Sequence, residues 1–268
     1  MAKFVGRRLL YLLPVLLAVT LLTFLIASLL PGDLAVTILG DQATPEKVAA
    51  LRAQMGLDLP LWQRYLLWLW DVLHGDLGRS FRTGETVLAA VSDRLPVSLE
   101  LMVLAEVTAL LIAIPLAILC AVKNGSATDR FLTGLAFGKL SLPPFMVAIL
   151  LIYLFAVSLN LLPATGWVPF AEDPIANIRS FVLPALTLAI AEWPVLMRVL
   201  RSDMIATLQE DYIAMAKAKG LRPSRILLVH ALKPSSLTLV TVTGINIGRL
   251  IGGTVIVESI FALPGIGR

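Results

Sequence analysis

Two carboxylates lie inside long apolar runs of the sequence, Glu106 and Glu192. At bilayer depth an ionisable group costs about 2.5–3.5 kcal/mol or more unless it faces protein or water. Each carboxylate could therefore bind a cationic group, or it could make a structural contact between helices. Pro194 follows Glu192 closely and predicts a local opening of the helix there. Glu100 and Glu258 lie nearer the ends of apolar runs, and we expect them at the membrane interface.

Side chains suited to metal or covalent chemistry are sparse. His74 and His230 are far apart and predicted on opposite sides of a membrane, and the single cysteine, Cys120, lies in an apolar run. This pattern predicts neither a metal site nor a disulfide. The sequence also lacks the H-E-x-x-H and G-x-S-x-G motifs and the G-x-x-x-x-G-K-[ST] phosphate loop. We therefore expect no catalytic residue and no bound cofactor on this chain.

A basic, alanine-rich segment, DYIAMAKAKGLRPSRILLVH, occupies residues 211–230. Gly220 predicts the end of a helix over 202–219, and Pro223 predicts the start of a second short helix over 224–232. The basic side chains of the segment are Lys217, Lys219, Arg222 and Arg225. These charges could simply follow the topology of a membrane protein. The small alanines and the turn favour instead a docking element for a soluble partner.

Composition places these residues in a membrane protein. Hydrophobic residues make up 58% of the 268 residues and charged residues 15%, and the mean hydropathy is +0.87. A soluble domain is nearer a quarter charged. The net charge of +4 does not indicate nucleic-acid binding, because the basic residues lie at the ends of apolar runs.

Five apolar runs are each near the roughly 20 residues that cross a bilayer. They cover residues 9–30, 97–122, 131–159 with a break at Pro143–Pro144, 181–200 and 237–257. Only helices satisfy their backbone polar groups in lipid at this length, so we predict an all-α polytopic membrane protein. The first run is longer than the core of a signal peptide, and no A-x-A-like cleavage site follows it, so we interpret it as a retained span.

The distribution of Lys and Arg predicts the orientation, with the N-terminus in the cytoplasm. The last residues, FALPGIGR over 261–268, form a turn-like sequence after the fifth run. We expect a sixth span to follow it, so that five of a probable six are visible.

The runs divide the chain into three segments. We predict an N-terminus and first span over 1–30, an external segment over 31–96, and a core over 97–268 that includes a cytoplasmic loop at 202–235. Aromatic residues at helical spacing in PLWQRYLLWLWDVL predict an interfacial helix within the external segment. Asp76 and Arg79 follow it in a Gly-Asp-Leu-Gly-Arg turn. They could face an external partner or hold the turn together.

The basic segment resembles the EAA loop of ABC importer permeases. Aligning on the glycine places the family's triplet on Ala214, Met215 and Ala216. The glutamate and first alanine of that triplet are absent, while Ala216, Gly220 and, further on, Leu232 match. Loss of the glutamate is usual in the subgroup that the rest of the chain resembles.

That subgroup is the dipeptide, oligopeptide and nickel permeases, B-type subunit. Its motifs are GRRLLYLLPVLLAVTLLTFLIASLLPGD at 6–33, MGLDLPLWQRYLLWL at 55–69, HGDLGRS at 74–80, RLPVSLEL at 94–101, DYIAMAKAKGL at 211–221 and GGTVIVESIFALPGIGR at 252–268. The similarity covers essentially the whole chain in order. It implies a type I, MetI-like transmembrane domain in a bacterial inner membrane, and a further span beyond the chain.

The resemblance also implies partners: a homologous second permease, two cytoplasmic ATPases that carry ATP and Mg²⁺, an external solute-binding protein and membrane lipid. The basic residues would pair with acidic groups on an ATPase, and Ala216 and Gly220 would permit close approach. Glu106 and Glu192 would line the transport path, where a carboxylate could meet the amino terminus of a peptide. Peptides are the expected cargo. A nickel-complex or glutathione importer, a secondary transporter and a membrane scaffold are the alternatives.

Overall fold

A computed structural model of the chain describes residues 2–29, 33–80 and 83–267. Its helices are α1 (Ala2–Leu29), α2 (Leu34–Leu39), α3 (Pro45–Gln54), α4 (Leu61–Leu73), α5 (Val87–Val122), α6 (Ala127–Leu140), α7 (Pro144–Leu151), α8 (Pro174–Leu208), α9 (Asp211–Ala218), α10 (Pro223–Arg225) and α11 (Leu232–Phe261). Wider π-helical turns extend α7 over Ile152–Ser158 and join α10 to α11 over Ile226–Ala231. By internal contacts the chain divides into two units, Met1–Ser92 and Asp93–Arg268.

The first unit is held together by contacts between α1 and α4. The Tyr65 hydroxyl lies 3.0 Å from the Thr20 hydroxyl, and its ring meets that of Phe24 edge-on with centroids 5.5 Å apart. The helix predicted at the membrane interface is present as α4, with Trp62 and Trp70 exposed. Amphipathic tryptophans of this kind suit the boundary between hydrocarbon and water.

The second unit is built around α8, which is the most buried of its long helices. Helices α6, α7 and α11 contact α8 directly. Ala109, Ala113 and Ala117 recur one helical turn apart on α5 and are fully buried in the same core cluster as Leu196 and Met197 of α8. Small side chains at this spacing let two helix backbones approach closely in a membrane.

The apolar helices agree with the predicted all-α membrane protein. Within the described residues, four are long and apolar enough to cross a bilayer: Gly6–Leu29, Val87–Val122, Pro174–Leu208 and Pro223–Phe261. A fifth span arises if α6 and α7, which are bent by 101° where they meet, are counted as one. The break predicted at the paired prolines is confirmed, because α6 ends at Leu140 and α7 begins at Pro144.

Two local expectations were wrong. The helix predicted over 202–219 is interrupted, because α8 ends at Leu208 and α9 begins at Asp211. The second helix predicted over 224–232 does not end there, since it continues into α11. In each case the neighbouring residues favour helix on both sides of the predicted boundary, and local sequence alone did not place the break.

Candidate functional site

Ionisable side chains from four helices lie near one another in the second unit. Arg249 of α11 donates a hydrogen bond from Nη2 to Oε2 of Glu192 on α8. The Glu192 side chain is 9% exposed and the Arg249 side chain is 60% exposed in this chain. The pair therefore has a buried anion and a cation that reaches an open surface.

Glu106 of α5 is the second carboxylate of this group. It is 4% exposed, and neither of its oxygens has a hydrogen-bond partner among the residues that the structure describes. It lies within electrostatic range of Glu192 and Arg249, and Lys139 at the end of α6 lies within range of Glu192. We call Glu106, Lys139, Glu192 and Arg249 the mid-span charge cluster. Its formal charges sum to zero.

The cluster contains both carboxylates that the sequence singled out and two cations that it did not. Arg249 was detectable, because it is the single charged residue within the apolar run 237–257. The predicted helix opening beside Glu192 is wrong, since α8 continues without a break through Pro194. The helix stays continuous although the proline removes one backbone donor.

A second ion pair ties together the end of the unit that contains the basic segment. Nε and Nη2 of Arg201 each donate to a different oxygen of Asp129, and both distances are 2.6 Å. Arg201 also donates to Oδ1 of Asn124 at 3.1 Å, and the Gly125 amide donates to Asp129 at 2.9 Å. Asp129 is buried. A two-pronged contact of this kind fixes the turn between α5 and α6 against α8.

The basic segment is a helix, a glycine turn and a second helix, as predicted. Gly220 has φ +74°, and its amide donates to the Lys217 carbonyl at 2.9 Å. The Leu221 amide donates to the Ala216 carbonyl at 3.2 Å. These two bonds form the Schellman motif that ends helices at glycine. Pro223 occupies the first turn of α10, where its missing amide is not needed.

The side chains of the segment divide into an inner and an outer set. Ile213, Ala216 and Ile226 are buried together in a small core. Ala216 therefore packs inside the segment and does not offer a surface to a partner, contrary to the expectation. Leu232 is half-buried in α11, because the second helix continues into that span. Among the exposed residues are Ala214, Met215, Lys217, Lys219, Gly220, Arg222 and Arg225.

A cleft of about 540 Å³ lies beside this segment. Its walls come from the end of α5, the end of α8 and the glycine turn, and they include Asn124, Leu208, Lys217 and Pro223. The exposed basic side chains and the cleft together form an open surface at one end of the second unit.

At the opposite end Glu258, near the end of α11, is fully buried. Its carboxylate accepts a hydrogen bond from the Ser98 hydroxyl at 2.7 Å and one from the Gly267 amide at 2.8 Å. The Ile266 amide in turn donates to Ser98 at 2.9 Å. A Cβ on Gly265 would overlap the Glu258 carboxylate. The turn after α11 is thus folded back onto α5 around one buried carboxylate.

The predicted external turn lies in the first unit. Oδ1 of Asp76 accepts from the Gly78 amide at 2.8 Å, and Arg79 pairs with Thr86 through an isolated antiparallel bridge. Asp76 therefore stabilises its own turn. The Arg79 side chain is exposed.

Comparison with known proteins adds an independent observation. A family model described as binding-protein-dependent transport system inner membrane component matches residues 113–268, and the corresponding N-terminal model matches residues 1–102. A Brucella abortus protein, whose name assigns it to a peptide transport system as a permease, is 40% identical over the whole chain and 85% of its own length.

Two further relatives carry the name dipeptide transport system permease protein DppB. The protein of Escherichia coli K12 is 38% identical and that of Alkalihalophilus pseudofirmus is 35% identical. Each alignment covers all of this chain and 86% of the relative. The chain therefore belongs to the inner membrane components of binding-protein-dependent transport systems, the permeases of ABC importers.

Proposed function

We propose that this permease imports small peptides, and that the mid-span charge cluster is the part of its path that meets them. The observation that carries the proposal is a set of two carboxylates and two cations from four helices, in which Glu106, Glu192 and Arg249 lie well inside long apolar helices. Ionisable groups inside the membrane are costly and usually mark a path for a polar cargo. A small peptide has one ammonium and one carboxylate group, so it matches a cluster without net charge. The names of the relatives support the same cargo.

The working assembly would contain a homologous second permease, two ATPases on the cytoplasmic side and a solute-binding protein on the other side. The basic segment would face the cytoplasm together with the N-terminus, because Lys and Arg accumulate on that side of membrane proteins. Lys217, Lys219, Arg222 and Arg225 are exposed and suited to acidic groups on an ATPase. ATP and Mg²⁺ would be held by the ATPases.

Coupling would pass from the basic segment into the spans. The segment continues without interruption into α11, which carries Arg249. Movement of an ATPase against the segment would therefore move α11 relative to α8. Alternating access requires that each state has its own contacts, and an ion pair between these two helices is a contact that can differ between states.

Reconstitution of the complete complex tests this function. The permease, its partner permease, the ATPases and the solute-binding protein are placed in proteoliposomes, and uptake of labelled dialanine is measured with and without ATP. We expect uptake that requires ATP and is blocked by vanadate. Uptake driven by an ion gradient without the ATPases would indicate a secondary transporter. ATP-dependent uptake of nickel complexes or glutathione without dialanine would assign a different cargo.

A further inference from the structure

We propose that the Glu192–Arg249 ion pair is an exchange site for the two charged termini of the cargo. In the absence of cargo, each side chain neutralises the other. When a peptide arrives, its carboxylate takes the place of Glu192 at the Arg249 guanidinium, and its ammonium group takes the place of Arg249 at Glu192. The inference rests on the proposed function and adds to it the groups of the cargo that are recognised.

The first argument is the unequal exposure of the pair. Glu192 is almost entirely covered, whereas more than half of the Arg249 side chain is open. If both side chains were buried, the pair would be a structural contact between α8 and α11. The structure gives the pair a single hydrogen bond, so the other N–H donors of the Arg249 guanidinium do not bond Glu192. A guanidinium binds a carboxylate through two parallel donors, so Arg249 can accept an incoming carboxylate before it releases Glu192.

The second argument is the unpaired carboxylate of Glu106. Its two oxygens and the Thr243 hydroxyl are buried, and none of these atoms makes a hydrogen bond of ordinary geometry to a described residue, although Thr243 lies close enough to act as a weak donor to Glu106. Glu106 lies within electrostatic range of both members of the pair. A buried acceptor without a partner is costly. An ammonium group has three donors, so the α-ammonium of a peptide bound at Glu192 could also satisfy Glu106.

The third argument is the charge balance of the exchange. The cluster has two formal negative and two formal positive charges before cargo binds, and a zwitterion adds one of each. Glu192 and Arg249 therefore each have a partner of opposite sign in both states, which avoids leaving either charge isolated inside the membrane. A peptide blocked at one terminus would leave either Arg249 or Glu192 without its exchange partner. The site should therefore discriminate against peptides blocked at either end.

The experiment compares dialanine, its N-acetyl derivative and its C-terminal amide as substrates of the reconstituted complex. The solute-binding protein is the same throughout, so its own preference cancels when permease variants are compared. We expect R249Q to lower the ratio of dialanine to amide uptake about tenfold and E192Q to lower the ratio of dialanine to N-acetyl uptake about tenfold. R249K should retain most of the preference for the free carboxylate.

Two controls keep the result interpretable. The double variant E192Q/R249Q removes both charges of the pair together, and it should fold and lose both preferences. R179Q, an exposed arginine that bonds only the Leu161 carbonyl, should keep the wild-type ratios. If the solute-binding protein does not deliver the blocked peptides, the three compounds are compared as competitors for labelled dialanine on the solubilised permease–ATPase complex.

An equal loss for all three compounds in R249Q and E192Q would show a structural pair and overturn the proposal. Unchanged ratios in both variants, or no dialanine binding by the solubilised wild-type complex, would overturn it as well. Failure of the proposed function is a separate result, because the wild-type complex would then take up no dialanine with ATP.

Discussion

Among the residues that the structure describes, four carboxylates are buried, and their partners differ in kind. Asp129 and Glu192 each meet an arginine, Glu258 meets a hydroxyl and a backbone amide, and Glu106 makes no hydrogen bond of ordinary geometry. A buried charge is tolerated when it is paired and hydrogen-bonded. Three of the four therefore have contacts that explain their burial, and Glu106 is the exception that points to a ligand.

The Asp129–Arg201 pair gives a prediction at the residue scale. Arg201 is 22% exposed and Asp129 is 5% exposed at the side chain, so water can compensate a lone arginine better than a lone aspartate. We expect R201A to lower the free energy of unfolding by about 3 kcal/mol, because it leaves a buried unpaired carboxylate. D129N should lower the free energy of unfolding by a smaller amount. Thermal unfolding of the solubilised complex measures both.

Arg198 is the matched control for this prediction. It lies on the same helix, three residues before Arg201, and its guanidinium carbon is 5.0 Å from the centre of the Phe137 ring. R198A removes that contact and should lower the free energy of unfolding by about 1 kcal/mol. If R198A and R201A lowered the unfolding temperature equally, the two-pronged pair would not be the main link between the α5–α6 turn and α8.

At the element scale, the basic segment is a small folded unit between two spans. The Schellman turn at Gly220 fixes the direction of the chain, and the core of Ile213, Ala216 and Ile226 holds α9 against the following helix. A displacement of the segment can therefore be passed to α11 while the segment stays folded. Its exposed surface is basic, and its interior supplies the rigidity.

G220D tests whether this turn transmits ATPase motion. Gly220 is exposed, and a Cβ at this position would meet no atom within 4 Å. Aspartate is among the residues that tolerate a left-handed backbone. We therefore expect an assembled complex with normal ATP hydrolysis, whereas uptake falls about tenfold because the added acid disturbs the docking surface.

G84D is the control for backbone strain. Gly84 has φ +72° and equally open surroundings, but it belongs to the first unit. G84D should leave the ratio of uptake to ATP hydrolysis unchanged. Normal uptake by G220D, or an equal loss in G84D, would remove the turn from the coupling mechanism.

At the scale of the whole molecule, the apolar surface is arranged for a bilayer. In the most apolar 18-residue stretch of α1, no residue is buried. Its side chains are therefore available for contact with lipid. Helix α11 is also largely exposed, yet it carries Arg249 near its middle. An exposed arginine at that depth must face protein or water. We therefore expect this face of α11 to meet protein or water and not lipid.

Thiol labelling tests the proposed orientation of the molecule. Cys120 is fully buried, so it should not react with a membrane-impermeant maleimide and provides the unlabelled background. S224C lies on the basic segment and T165C lies in the loop at the opposite end, and both positions are exposed. We expect T165C to react in intact spheroplasts and S224C only after permeabilisation. The reverse pattern would place the N-terminus outside the cytoplasm.

The sequence by itself determined the class of protein and the turn within the basic segment. Hydropathy is a property of each run of residues, and the conformations of Gly220 and Pro223 depend on their own backbones. These features were therefore predictable without knowing the fold. The paired prolines likewise predicted the break between α6 and α7.

The tertiary structure decided which faces of the helices meet. Glu192 and Arg249 are 57 residues apart, and Ser98 and Glu258 are 160 apart, so no local pattern relates either pair. The same reason explains why Ala216 was expected on a surface and lies in a core. An alanine suits either place, and only the packing of α9 against Ile226 buries it. Burial and pairing depend on contacts between distant segments, and the fold alone brings those segments together.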